Sequence, residues 1–103
     1  MPFRVEFTRR ALRDLDHLFQ YIHAEDSPAA ARWFNALEAH ILRLESAPRL
    51  GSLTHDYSGI RQIIHGTRPH FYRVLYRIDE ETHKILILHI RHGRRDKVRS
   101  QEH

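Results

Sequence analysis

The stretch from Phe71 to Asp96, FYRVLYRIDEETHKILILHIRHGRRD, constrains the fold of this chain more than any other. It reads as two long strands joined by a tight polar turn and followed by a cluster of arginines. Phe71 to Ile78 mixes β-favouring residues with Arg73 and Arg77. Asp79-Glu80-Glu81-Thr82 carries three carboxylates and resists burial, which makes it the turn. From Lys84 to His92 the period is two. Leu86, Leu88 and Ile90 are expected on one face, with Ile85, Ile87, His89 and Arg91 on the other. The first face is wholly apolar and requires a cover. The second turns polar towards His92-Gly93-Arg94-Arg95, so cations gather at one end of the hairpin.

The remaining segments supply that cover. Phe3 to Phe7 alternates Phe3, Val5 and Phe7 against Arg4 and Glu6, as a half-buried strand does. Thr8 is a fitting N-cap for a helix from Arg9 to Glu25, with Leu12, Leu15, Leu18, Phe19 and Ile22 on its inner face. Arg9, Arg10, Arg13, Asp14, Asp16 and His17 are expected as solvated charge on the rest. Ser27-Pro28 is a restart signal, because Ser caps and Pro loses no bond at the first helical position. A second helix then runs to about Ser46, with Trp33, Phe34, Leu37, Ile41 and Leu44 as its core stripe. Ile60 to Ile64 is a third short strand, and residues 65–70 turn into the hairpin. The expected order is β-α-α-β-β-β. It describes a two-layer α+β fold, an N-terminal helical hairpin packed on a small, mostly antiparallel twisted sheet. Residues 1–103 are expected to form one domain with a basic tail at 93–103. The uncovered face should carry some of Arg61, Arg73, Arg77, His89 and Arg91, with the strand register left open.

Composition excludes several classes. Apolar residues at 41% and charged residues at 29% fit a globular chain better than a disordered one. The absence of cysteine rules out a disulfide scaffold and a thiolate metal site, and suits the cytoplasm. No apolar run approaches a signal peptide or a membrane span. The charge is uneven: residues 1–59 hold seven Lys/Arg against eight Asp/Glu, whereas residues 60–103 hold ten against five. That asymmetry favours an anionic partner, nucleic acid or an acidic protein segment. Ten histidines invite a metal, but His89 and His92 are three apart on a strand and so fall on opposite faces. All four glycines stand alone, which excludes a phosphate-cradling loop. The serines lie in caps, loops and tail without a histidine–acid partner. No cofactor and no metal are expected.

The run of segments from FRVEFT through DSPAAARWF (Asp26 to Phe34) and FYRVLYRID to ILILHIRHGRRD resembles the ParE/RelE toxin superfamily of bacterial type II toxin–antitoxin systems. The likeness spans nearly the whole chain and is stronger to the ParE branch. It implies a toxin of the plasmid-stabilisation type that inhibits DNA gyrase by binding, without chemistry of its own. It also implies a ParD-like antitoxin, whose amphipathic, acidic C-terminal segment neutralises the toxin in a hetero-oligomer. The RelE branch instead implies a ribosome-dependent messenger RNA endonuclease. Arg73 matches the arginine of its Tyr-Arg strand motif, and Arg95 the arginine after its Gly-basic pair, with Arg94 alongside. This chain departs from RelE in lacking its strand lysines, where Arg61 and Ile63 fall nearest, and in having no tyrosine after Tyr76.

The leading target contacts under the gyrase reading are therefore Arg94 and Arg95, followed by Arg73, Arg91 and His92. Under the endonuclease reading Arg73 and Arg95 would stabilise charge. An arginine stays protonated, so proton transfer would fall to a histidine: His92, His89 or His65. A degenerate toxin that only binds its antitoxin is the third alternative. Arg77 is read as a structural cation paired with Asp79 or Glu6, and Asp96 as a partner for Arg94 or Arg95.

Overall fold

The hairpin forms the middle of a five-stranded sheet with the order β1-β5-β4-β3-β2. The computed structural model describes residues 2–93; Arg94, Arg95 and Asp96, with the rest of the tail, lie outside the described residues. The strands are β1 (Arg4–Phe7), β2 (Ser52–Leu53), β3 (Arg61–Thr67), β4 (His70–Asp79) and β5 (Lys84–His92). Helices α1 (Arg9–Tyr21) and α2 (Pro28–Leu42) lie between β1 and β2, and a 3-10 turn over Arg43–Glu45 extends α2. The expected order thus gains one strand. β2 is only two residues long, too short for a periodic signal, and borders Arg61 and Gln62 of β3. The sheet is mixed: β1 runs parallel to β5, and the other neighbours are antiparallel.

Both helix starts follow their caps. Thr8 Oγ1 accepts the Ala11 N–H at 3.0 Å, and Ser27 Oγ accepts the Ala30 N–H at 3.2 Å, with Pro28 opening α2. The inner face of α1 differs from the expected one. Ala11 is fully buried, while Leu12 is 54% exposed. At 100° per residue, positions 11, 15, 18, 19 and 22 share the inner stripe, and Leu12 sits on its flank. Phe19 meets Phe34 edge-to-face at 5.2 Å and joins the two helices.

The apolar face of β5 also requires correction. Ile85 pairs with Ile78, Ile87 with Tyr76 and Ile90 with Val74, while Leu88 is an extra residue between the Tyr76 and Leu75 partners. This β-bulge changes the phase of the alternation. Ile85 and Ile87, together with Ile90 beyond the bulge, face the core; Leu86 and Leu88 do not join it. Burying Ile85 or Ile87 fully is worth about 1.5–3 kcal/mol each.

Tyr76 ties this core to the long loop before β3. Its hydroxyl donates to the Pro48 carbonyl at 2.7 Å and accepts the buried Gly51 N–H at 2.9 Å. Arg61 donates to the Gly51 carbonyl at 2.7 Å. A Cβ at Gly51 would stand 2.3 Å from the Gln62 carbonyl oxygen, so only glycine allows this approach. Arg61 is therefore taken up by the loop and shares the face of Tyr76, its cross-strand partner.

Candidate functional site: a cationic sheet face flanked by helix α1

Strand register sorts the sequence candidates onto two faces. Tyr72, Val74, Tyr76 and Ile78 point to the helices, so Arg73, Leu75 and Arg77 point away from them. On that outer face Ile64, Arg73 and Arg91 form one row across β3, β4 and β5, and Gln62, Leu75 and His89 form the next. Arg73 and Arg91 are direct cross-strand partners, which sets their Cβ atoms about 5 Å apart. Two like charges in that position concentrate positive potential at one place, which attracts an anion. Arg73 also donates to the Gln62 Oε1 at 3.1 Å, which fixes one edge of its guanidinium. The acidic Glu6 lies at the other end of the face and is engaged by Arg4 and Lys84, each at 3.4 Å. Asp79 accepts the Glu81 and Thr82 N–H groups of its own turn. Glu6 is thus engaged by Arg4 and Lys84, while the exposed Arg77 acts on Asp79, whose carboxyl is held below its usual range by the Thr82 and Glu81 hydrogen bonds and by the Arg77 charge.

His92 falls on the opposite face from Arg73 and Arg91. It pairs with Tyr72 and meets that ring edge-on at 5.1 Å, with Phe71 at 6.4 Å. His65 is also on the helix side. Its ring stands 5.0 Å from Trp33, and its Nδ1 is 3.1 Å from the His40 Nδ1. The two imidazole centroids are 5.3 Å apart, so the nitrogens point at one another. That is the geometry of an N–H···N hydrogen bond and not of two ligands converging on an ion. Burial lowers the pKa of both rings; Arg43 adds to the effect at His40, and His40 adds to it at His65. Among the described residues no three histidines or carboxylates group as metal ligands.

His89 is the histidine that stays with the cationic row, and α1 holds it there. Asp14 Oδ2 accepts from the His89 Nδ1 at 2.5 Å and from the Ile90 N–H at 2.9 Å. Arg10 Nη2 lies 3.3 Å from the His89 Nε2. A guanidinium can only donate, so Nε2 is the acceptor and Nδ1 carries the proton. Burial lowers the His89 pKa; Asp14 opposes the shift, and Arg10 and Arg91 reinforce it. The ring is thus a neutral imidazole donating to a carboxylate, with its second nitrogen turned towards Arg10. Arg10 and Asp14 were expected as solvated charge. Their one local signal is the i, i+4 spacing that sets them on the same flank of α1.

Comparison with known proteins follows this geometry. Residues 5–97 match the family model described as the ParE toxin of the type II toxin–antitoxin system parDE. The toxin–antitoxin complex RelBE2 of Mycobacterium tuberculosis contains a chain 33% identical to this one. That match covers 89% of this chain and 99% of the other, with a TM-score of 0.66. The chromosomal ParDE system of P. aeruginosa is similar at 20% identity over 87% of this chain and 95% of the other, with a TM-score of 0.70. The RelE toxin of E. coli, in a mutant form in the free state, is similar at 18% identity over 97% and 93%, with a TM-score of 0.66. These last two likenesses concern the fold. No curated protein matches the chain. Among the described residues no helix is long and apolar enough to cross a membrane. The fold is RelE/ParE-like, and the chain belongs to the ParE toxin family of type II toxin–antitoxin systems.

Proposed function

We propose that this toxin acts by binding, using its outer sheet face to engage DNA gyrase or the gyrase–DNA complex. The observation that carries the reading is the cross-strand pair of Arg73 and Arg91, a double cation on the outer sheet face. Arg94 and Arg95 come three and four residues after Arg91 in the sequence and add to its positive charge. A DNA phosphate or an acidic segment of the enzyme is attracted to that pair, and no chemistry on the toxin is needed. The toxin is neutralised by a ParD-like antitoxin, whose acidic, amphipathic segment competes for the cations and covers exposed apolar surface such as Leu12 on α1. The RelBE2 and ParDE complexes among its relatives support such a partner. The test is a supercoiling assay with purified gyrase, plasmid DNA and antitoxin-free toxin. Lost supercoiling is expected, with linear DNA appearing after the protein is removed.

One observation favours a second reading, ribosome-dependent cleavage of messenger RNA. The neutral His89 beside Arg91 supplies a proton acceptor, which neither Arg73 nor Arg95 can be. It predicts cuts in translated RNA where the gyrase reading predicts none.

A further inference from the structure

We propose that helix α1 adds a contact for duplex DNA to the outer sheet face. Arg10 and Arg13 continue the Arg73–Arg91 row into a strip of cations that lies along one phosphate backbone of the DNA held by gyrase. The inference rests on the gyrase reading and names the DNA, not the enzyme, as what the strip touches.

α1 reaches this face at the bulge in β5. β1 pairs with β5 only as far as Ile87. Beyond that point α1 occupies the edge, where Thr8 Oγ1 donates to the Leu88 carbonyl at 3.0 Å and Asp14 Oδ2 accepts the Ile90 N–H at 2.9 Å. His89 falls in the row next to Arg73 and Arg91, and Arg10 Nη2 lies 3.3 Å from its Nε2. Successive rows of one face are about 6.6 Å apart along the strands, so Arg10 stands one step from the arginine pair. Arg13 is the exposed neighbour of Arg10 three residues further along the helix. At the other end, Phe71 precedes Arg73 by two residues and carries the Arg68 guanidinium 5.8 Å from its ring centroid. Cations thus follow one another from α1 across the sheet to the turn between β3 and β4.

The acids close to the strip point elsewhere. Asp14 is turned inward to His89 and Ile90, and Glu6 is held by Arg4 and Lys84. Asp16, an exposed acid of α1, is turned about 120° from Arg10 around the helix axis. Among the described residues neither Arg10 nor Arg13 forms an ion pair. The strip is also poor in the apolar anchors on which a protein interface depends. Leu12, the large exposed apolar residue at this end of α1, is turned about 160° from Arg10, which leaves Ile64 as the exposed large hydrophobic in these rows. A DNA backbone requires only positive charge at an accessible surface. Arg10 supplies it: the side chain is exposed and held by one bond to a neutral ring, which a charged phosphate outcompetes.

The experiment measures fluorescence anisotropy of a labelled duplex of about 20 base pairs, two helical turns, with full-length antitoxin-free toxin and no gyrase. Salt is varied from about 50 to 200 mM. Wild type should bind, with log affinity falling linearly in log salt. Arg10→Ala and Arg13→Ala should each reduce the slope by about 0.9, one phosphate contact, while Arg32→Ala, which removes an exposed charge from α2, leaves it unchanged. Both strip arginines are exposed, so their variants should melt as wild type does. In a supercoiling assay the two strip variants should inhibit gyrase less, in step with their lost DNA affinity. The same slope in Arg10→Ala, Arg13→Ala and Arg32→Ala overturns the strip. Supercoiling lost to a toxin that binds no duplex overturns the inference and leaves the gyrase reading standing, with the enzyme itself as the contact. Duplex binding through the strip without any effect on supercoiling upholds the DNA contact and removes gyrase as its setting. Tighter binding of a single-stranded RNA of equal length assigns the strip to RNA and overturns the inference.

Discussion

Replacing Tyr76 by Phe removes one oxygen and no packing volume, so it isolates what the hydroxyl does. The ring is fully buried, and its hydroxyl is the point at which the loop over residues 47–51 is fastened to the sheet. In Tyr76→Phe the Gly51 N–H stays buried without an acceptor, because the Gln62 backbone closes over that glycine. A buried donor left unsatisfied costs about 1–3 kcal/mol. The Pro48 carbonyl is only partly buried and recovers water, so its lost bond adds about 0.5–1.5 kcal/mol. The sum is about 2–4 kcal/mol, a large share of the stability usual for a domain of this size. At about 4–8 °C per kcal/mol it corresponds to a fall in Tm of roughly 10–25 °C. Urea unfolding gives the measurement: the midpoint should drop while the slope m stays constant. A loss below about 0.5 kcal/mol would refute the reasoning, since it would mean that the loop is held by Arg61 and backbone packing without the hydroxyl.

Two further perturbations follow from the packing. The hydrogen-bonded His40–His65 pair should make stability fall on acidification. Both rings have folded pKa values below the usual 6.5, so their contribution is fully present above pH 6.5 and is lost as pH falls through the lowered values; urea midpoints at pH 7.5 and 5.5 should lie closer together in the double His40→Ala/His65→Ala variant than in wild type, with the lowered His89 still contributing a difference. Gly93→Ala should destabilise by about 1–3 kcal/mol, because its Cβ would lie 2.0 Å from the Phe71 ring. Removing that ring in a Phe71→Ala/Gly93→Ala double variant should make the two effects non-additive, and strict additivity would contradict the contact.

What was legible in the sequence is what depends on near neighbours. Thr8, Ser27 and Pro28 each act on the next few residues, and the 79–82 turn is marked by its own carboxylates, so helix starts and the central hairpin can be read directly. The inner face of α1 was misassigned at one position because Ala11 is small and Leu12 is large, although the helical period favours Ala11. The bulge at Leu88 leaves no local mark. Val, Ile and Leu occupy either phase equally well, and only the pairing with Tyr76 and Leu75 sets which residues face the core. The candidate site shows the same division. Arg73 and Arg91 were visible as cations on alternating strands, but their sharing a face with His89 and not with His92 depends on register. Asp14 and Arg10 meet His89 from a helix more than seventy residues away in the chain, where no spacing rule reaches.

The measurement that bears most directly on the proposed activity is the gyrase supercoiling assay, run with wild type and with Arg73→Ala/Arg91→Ala. Arg73 and Arg91 are both half-buried and Arg73 bonds Gln62, so the melting curve of the double variant is measured beside the assay. Wild type should abolish supercoiling and leave linear DNA after protein removal, while the double variant should lose most of that effect. Supercoiling that continues unchanged at clear molar excess of wild type would contradict the account. Equal inhibition by a well-folded double variant would contradict its assignment to the Arg73–Arg91 pair.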